Sequence, residues 1–204
     1  MTNQEKFLFL ERCSELFNTK RMGHVPGPIE PQNSIMGLYE LIQNYFKEDF
    51  EMVELGSFHG TSTRFFSLFV KKIYSVDIYD YHIPPTGRIP EMDAMFKEAE
   101  KIFIERTADY SNIIKVRKRT VEAAEDFADN TLDCVYVDAE HIYDYIRADI
   151  QAWKDKIKNG GILCGHDYDH NHSISINKIL TEFNLMNEFK TYSDTSWSVV
   201  IKKN

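Results

Sequence analysis

Cysteine is scarce in this sequence. Its three copies, Cys13, Cys134 and Cys164, are far apart and odd in number. No C-x-x-C pair is present, so neither zinc-knuckle nor thiol-redox chemistry is suggested, and no disulfide framework is visible. Cys134 and Cys164 sit inside apolar runs and read as small core residues. Basic charge is also short: 24 Lys and Arg stand against 32 Asp and Glu, a formal net charge of −8. That balance lacks the electrostatic footprint of a general nucleic-acid binder, so no nucleic-acid partner is expected. The one basic run, KVRKR at Lys115–Arg119, reads as a solvated strand end rather than a phosphate-contacting patch. Long apolar runs are missing as well. Charges interrupt the opening MTNQEKFLFLERCSELF every few residues, which predicts neither a signal peptide nor a membrane span. A soluble, cytoplasmic protein with no membrane partner is the expectation.

What is present suffices for a sizeable core. The chain has 204 residues, 43% of them hydrophobic, with 14 Phe and 11 Tyr, and its length suits one generous domain. Residues 4–18 predict an amphipathic helix, and 34–46 a second one through Leu38, Leu41, Ile42 and Phe46. A Gly/Pro-rich loop separates them. These helices, residues 1–48, read as an N-terminal cap that could cover a site or make a homo-oligomer. From residue 49 to 204 strand-length apolar runs alternate with helical patterns at 91–107, 142–157 and about 174–184. Such alternation predicts βαβ units and a parallel sheet covered on both faces. The last two runs are too closely spaced for a crossover, so the final strand must enter antiparallel. The expected fold class is therefore α/β: a doubly wound, seven-stranded, mostly parallel sheet ending in an antiparallel hairpin.

The stretch VELGSFHGTSTRFF (53–66) places a turn directly after the first strand. Gly56 allows a tight turn, Gly60 would let a ligand approach the backbone, and Thr61 or Ser62 could cap the next helix. The spacing is neither the dinucleotide G-x-G-x-x-G nor a P-loop, which suits a ligand without a pyrophosphate. The second strand ends at Asp77, a carboxylate placed to accept ribose hydroxyls. His59, inside the turn, reads as shaping that loop.

With Glu54, Gly56, Gly60 and Asp77 in this order and a hairpin-terminated sheet, residues 50–204 resemble the class I S-adenosylmethionine-dependent methyltransferases. The resemblance implies S-adenosylmethionine as cofactor. Its methionine end would face the 56–60 turn, with Glu54, Ser57, Thr61 and Ser62 around it. Its ribose would lie against Asp77 and Ile78, and its adenine near Thr120 and Val121.

Asp138 follows the fourth strand and Asp167 the fifth, and neighbouring strands lie about 4.8 Å apart. Both carboxylates can therefore reach one hard cation such as Mg²⁺. His141, expected in the first turn of the next helix, could take a proton from a substrate hydroxyl in its neutral form. The helix between the two acids is expected to stop at Gly160–Gly161. VDAEHIYDY and GHDY look like the small O-methyltransferase subgroup with D-x-x-H and G-H-D-Y motifs. That likeness implies Asp138 and Asp167 as metal ligands, with His166 or Asp169 assisting, and His141 with Asp138 as the catalytic pair. The sequence departs from metal-dependent relatives at His166, where they tend to carry an acid. Without a metal, Asp138 would contact the methionine part of the cofactor. His170 and His172 read as solvent-facing, His82 as part of a loop over the crevice, and His24 has no assignable chemistry. The expectation is methyl transfer to a small-molecule acceptor, most simply a hydroxyl of a sugar or natural-product-like compound. A metal-dependent hydroxylase or hydrolase on this scaffold, or a non-catalytic cofactor-binding protein, are the alternatives. No Asn/Asp-Pro-Pro-aromatic motif of base methylation occurs.

Overall fold

The computed structural model describes residues 31–80, 90–169 and 171–203. The expected helix at 4–18, His24, His82 with most of its loop, and His170 lie outside the described residues.

Seven strands form one sheet in the order β3-β2-β1-β4-β5-β7-β6. They are β1 (Glu51–Leu55), β2 (Lys72–Val76), β3 (Ile113–Val116), β4 (Leu132–Val137), β5 (Ile157–Gly165), β6 (Lys190–Thr191) and β7 (Trp197–Val200). The first five pair in parallel, and β7 runs antiparallel between β5 and β6. The seven-stranded, mostly parallel sheet with an antiparallel end is therefore as the sequence predicts. Six α-helices accompany it among the described residues: α1 (Pro31–Tyr45), α2 (Thr61–Ser67), α3 (Pro90–Thr107), α4 (Thr120–Ala123), α5 (Tyr143–Trp153) and α6 (Ser173–Glu182).

Strands buried on both faces favour apolar side chains at nearly every position, and β1 and β4 are buried along almost their whole length, with Glu54 the one buried acid among them. Alternate residues feed two cores. Val53, Leu55, Val135, Val137 and Leu163 pack with α5 and α6, while Met52, Ile73, Cys134, Tyr136 and Ile162 pack on the opposite face with α1 and α2. The expected boundary at residue 48 falls in the turn between α1 and β1. Leu38, Leu41 and Ile42 of α1 are buried in the same core as the sheet.

Two boundaries differ from expectation. The helix after β4 ends at Trp153, not near 157, and the glycines expected to stop it lie inside β5. Ile157 already pairs with Leu132, whereas Ile162 pairs with Cys134, so β5 carries extra residues at 158–161. Gly160, at φ 80°, takes up this irregularity and donates its N–H to Ile201 O at 2.7 Å. A bulge and a helix stop call for the same residues, so glycines alone do not separate them.

The carboxyl ends of β1, β2, β4 and β5 form the crevice. Gly56 N donates to Val76 O and Asp138 N to Leu55 O, both at 2.9 Å, so the loops leaving these strands start in contact. Gly165 closes β5 tightly: a Cβ there would stand 2.5 Å from Val137 O and 2.8 Å from the Trp197 ring. Gly165→Ala should therefore destabilise the protein by about 1–3 kcal/mol, the usual cost of overpacking a dense core. Urea denaturation reads this as a lowered midpoint, and an unchanged midpoint would mean that β5 and β7 separate freely.

Candidate active site

The glycine turn is organised by two buried carboxylates. Asp77, directly after β2, accepts the N–H groups of Ser57 (3.1 Å) and Phe58 (2.9 Å) on Oδ2 and of Tyr79 (2.8 Å) on Oδ1. Phe58 and Tyr79 both adopt positive φ, at 42° and 50°, an uncommon conformation that these hydrogen bonds hold. Burial raises the Asp77 pKa, and the three amides act against that rise. Glu54, fully buried at the end of β1, receives the hydroxyls of Ser62 and Thr63. Burial pushes its carboxyl up to about 7 despite those donors.

These contacts correct two expectations. Ser62 does not cap α2, and Thr61 makes no cap bond either. The N-cap is Gly60, with no side-chain cap, because the Ser62 hydroxyl serves the buried Glu54 instead. Gly60 faces a helix rather than a ligand, since a Cβ there would meet the Phe103 ring of α3 at 2.7 Å. Gly56 is the glycine of closest approach. It sits at φ 86°, and its Cβ would lie 2.0 Å from Asp138 O.

On the β3 side, Thr120 is clamped by α5. Its hydroxyl donates to Asp149, and its carbonyl accepts the Trp153 indole N–H at 3.0 Å. Val121 beside it is 44% exposed, and Ile78 is half-buried with its carbonyl accepting Arg117 Nε at 3.3 Å. Burial raises the Asp149 carboxyl to about 7, with Thr120 opposing. Asp149 was not anticipated. The signal was an acid placed among Ile146, Ile150 and Trp153, on the stripe that α5 buries. The basic run Lys115–Arg119 is largely paired locally: Lys115 and Arg117 share Glu100, Lys118 pairs with Asp126, and Arg119 with Glu122.

Asp138, His141 and Asp167 come together. Their ligand atoms all lie within 4.8 Å of one another. Val137 pairs with Gly165 across the parallel β4–β5 ladder, so Asp138 and Asp167 leave neighbouring strand ends. Asp167 is itself at φ 61°. His141 Nε2 stands 2.8 Å from Asp167 Oδ2 and 3.8 Å from Asp138 Oδ1. It sits in the loop ahead of α5, not in its first turn, because the chain remains extended up to the cap at Ile142. The third member of the cluster is thus His141, not His166 or Asp169. His166 binds the other side of Asp167, Nδ1 to Oδ1 at 3.0 Å, with Nε2 3.4 Å from Thr195 Oγ1. Asp169 turns to the N–H groups of Asn171 and His172 and to His172 Nδ1. His172 is half-buried and meets the His141 ring edge-on at 5.7 Å.

Charge in this cluster runs against the neutral imidazole expected from the sequence. Asp138 and Asp167 hold the His141 proton, raising it to about 10, with the closer contact to Asp167. Burial alone would raise Asp167, but hydrogen bonds from His141 and His166 bring it below the usual carboxylate range. Burial pulls His166 down, yet Asp167 and Asp138 lift it to about 9. Burial raises Asp138. At neutral pH His141 is therefore an imidazolium lodged between two carboxylates, where a cation would sit. Two carboxylates and an imidazole nitrogen also fit a divalent cation as a donor set.

A family described as a methyltransferase domain matches residues 53–168, more than half of the chain. No curated protein matches in sequence. Among solved structures, a SAM-dependent O-methyltransferase from Thermotoga maritima is similar at 13% identity and a TM-score of 0.60, over 94% of this chain and 71% of the other. The N-methyltransferase NodS from Bradyrhizobium japonicum WM9, in complex with S-adenosyl-L-homocysteine, matches at 17% identity and a TM-score of 0.57, over 95% of each chain. An rRNA methylase from Streptococcus thermophilus matches at 13% identity and a TM-score of 0.52, over 89% of this chain and 99% of the other. The chain belongs to the methyltransferase-domain family and has the Rossmann-like fold of S-adenosylmethionine-dependent methyltransferases. No helix among the described residues is long and apolar enough to cross a membrane.

The His141 charge has a pH signature. In the unfolded chain histidine titrates near about 6.5, and here it titrates near about 10. A raised folded pKa gives stability that is complete below about pH 6.5 and is lost as pH rises through about 10. The melting temperature of wild type should thus exceed that of His141→Gln most near pH 6, with the gap closing towards pH 10. A gap that widens with pH would show that His141 is neutral in the folded state.

Proposed function

We propose that this chain transfers a methyl group from S-adenosylmethionine to a hydroxyl of a small acceptor, with Asp138 and His141 handling the acceptor proton. The observation that supports this best is the convergence of Asp77 and Asp138 on either side of Gly56, at the carboxyl ends of adjacent parallel strands. A doubly wound sheet binds ligands at that edge. Glu54, Asp77 and Asp138 are all raised in pKa by burial. Buried carboxylates of this kind suit a ligand that brings positive charge and hydroxyl donors. The cofactor supplies an electrophilic methyl on a sulfonium, next to an ammonium group and a ribose.

Asp77 still has acceptor capacity after its three amide contacts and could take ribose hydroxyls. Exposed Val121, on the short helix α4 clamped by Asp149 and Trp153, offers an apolar surface for the adenine. Ser57 and Ser62 border the methionine end, the Thr61 hydroxyl turns to Arg106 instead, and the absent side chain of Gly56 lets the Asp138 backbone pack against the turn. The acceptor hydroxyl enters between Asp138 and Asp167 and separates His141 from them. Without those partners the imidazole relaxes towards its ordinary pKa, gives its proton to solvent and becomes a competent base, which takes the hydroxyl proton as the O–CH3 bond forms, the S–CH3 bond breaks and S-adenosylhomocysteine leaves. Orientation of the acceptor oxygen in line with the methyl carries much of the rate. A divalent cation held by Asp138 and Asp167 in place of the imidazolium would lower the acceptor's pKa as a Lewis acid and leave His141 free as the base. A net charge of −8 and the acid-paired Lys115–Arg119 run favour a small acceptor over nucleic acid.

Titration calorimetry with S-adenosylmethionine and S-adenosylhomocysteine should give saturable 1:1 binding, weakened at least about tenfold by Asp77→Ala, a loss of hydrogen bonds to a charged group. Absence of binding at millimolar ligand would refute the reading. For the metal, Mn²⁺ titration followed by electron paramagnetic resonance should show one site that Asp167→Asn removes; an unchanged titration would exclude Asp167 as a ligand. Acceptors found by radiolabelled methyl transfer should turn over about 10²–10⁴ times more slowly with His141→Ala, the usual range for a lost general base. Cofactor affinity should hold in that variant, and a wild-type rate would remove His141 from the mechanism.

A further inference from the structure

Arg64 and Arg106 break the charge pairing seen elsewhere on this surface. Five arginines are described, and Arg117, Arg119 and Arg147 each have a carboxylate within 4.0 Å. The other two instead donate to neutral hydroxyls: Arg64 Nε to Tyr110 Oη and Arg106 Nη1 to Thr61 Oγ1, each at 3.3 Å. These four side chains close a ring. Thr61 and Arg64 are one turn apart on α2 and share a face. Arg106, in the last turn of α3, lies four residues before Tyr110, whose N–H returns to Thr107 O at 3.0 Å. Arg64 Cζ also stacks over the Tyr110 ring, 5.5 Å from its centroid. Each guanidinium is thus bonded to one hydroxyl, and the backbone of α2 and of residues 106–110 joins the two pairs into the ring.

The chemistry of this ring is one-sided. Each hydroxyl accepts an arginine N–H and keeps its own hydrogen to donate. Guanidinium groups only donate, so the ring presents donors and positive charge, and neither arginine is paired with a carboxylate among the described residues. Each arginine lies in the last turn of its helix, whose carbonyls favour a cation. That accounts for one arginine per helix and not for two joined in one ring. Burial, and then the charge of Arg64, holds Arg106 below the usual arginine range, so the pair repels.

We propose that Thr61, Arg64, Arg106 and Tyr110 form a binding site for a phosphate group, distinct from the crevice lined by Asp138, His141 and Asp167. Paired guanidinium forks match the oxygens of a tetrahedral oxyanion, and the two hydroxyls supply further donors. Nothing in this site depends on the methyl-transfer reading.

Calorimetric titration of the full chain with inorganic phosphate and with glycerol phosphate, at low ionic strength, tests the site. Saturable 1:1 binding is expected for at least one of them. Equal affinities identify the free ion as sufficient, and tighter glycerol phosphate identifies an organic phosphate as the source; either supports the site. Arg64→Gln and Arg106→Gln should each weaken binding about 10–100-fold, the loss expected for hydrogen bonds from charged groups. Tyr110→Phe keeps the ring packing and should cost about 2–10-fold, the loss of one neutral hydroxyl. That variant carries the test if an arginine variant does not fold. Lys97, exposed on α3, supplies the control: Lys97→Gln should leave binding unchanged. No saturation at about 10 mM phosphate, or equal losses in Lys97→Gln and the ring variants, would overturn the proposal.

Discussion

The carboxylate of Asp77 ties together the two loops from which the crevice is built. It lies at the end of β2 but receives two N–H groups from the loop after β1 and one from its own. A buried carboxylate is costly without such donors, and a turn with two residues at positive φ is costly without an acceptor to hold it. Each defect compensates the other. Parallel pairing of Leu55 with Val76 makes the contact geometrically available. Glu54, one strand over, repeats the arrangement with the hydroxyls of Ser62 and Thr63, so the start of α2 is held from below. The result is a rigid turn whose outer rim is left to a ligand.

The β4–β5 side is set by close approach rather than by hydrogen bonding. Gly56 touches the Asp138 backbone, and Gly165 touches Val137 and Trp197. Removal of two Cβ atoms brings three loops within reach of each other, and with them Asp138 and Asp167. The two acids would repel if both stood ionised and alone, and His141 lies where a compensating charge is needed. In this state the histidine acts as a counter-ion. Its catalytic role in our reading begins only when something else takes that place. Cofactor side and acceptor side therefore meet at one residue, Asp138, whose backbone packs on the glycine turn and whose side chain belongs to the acid pair.

Much of this was legible in the sequence because strand ends are legible. Asp77, Asp138 and Asp167 each come at or one residue past the end of a largely apolar run, and a parallel sheet gathers such ends on one edge. Contacts that depend on register or loop path were not legible. Ser62 reads as a helix cap until Glu54 is known to be buried beneath it. Gly160 and Gly161 read as a helix stop until β5 is seen to pair from Ile157. His141 shows its chemistry only once its distance to Asp167 is known, since three residues of sequence separation tie it to Asp138 alone. Asp149 could have been found from its place on the apolar stripe of α5, whereas its partner Thr120 could not.

The proposed function requires the crevice beside Gly56 to hold the cofactor with its reactive end towards Asp138. A crystal structure of the complex with S-adenosylhomocysteine tests this most directly. The account expects ribose hydroxyls within hydrogen-bond distance of the Asp77 carboxylate, the adenine over Val121, and the sulfur on the Asp138 side of the Gly56 turn. A ligand seated elsewhere on the protein, or one in the crevice with its ribose away from Asp77, would contradict it.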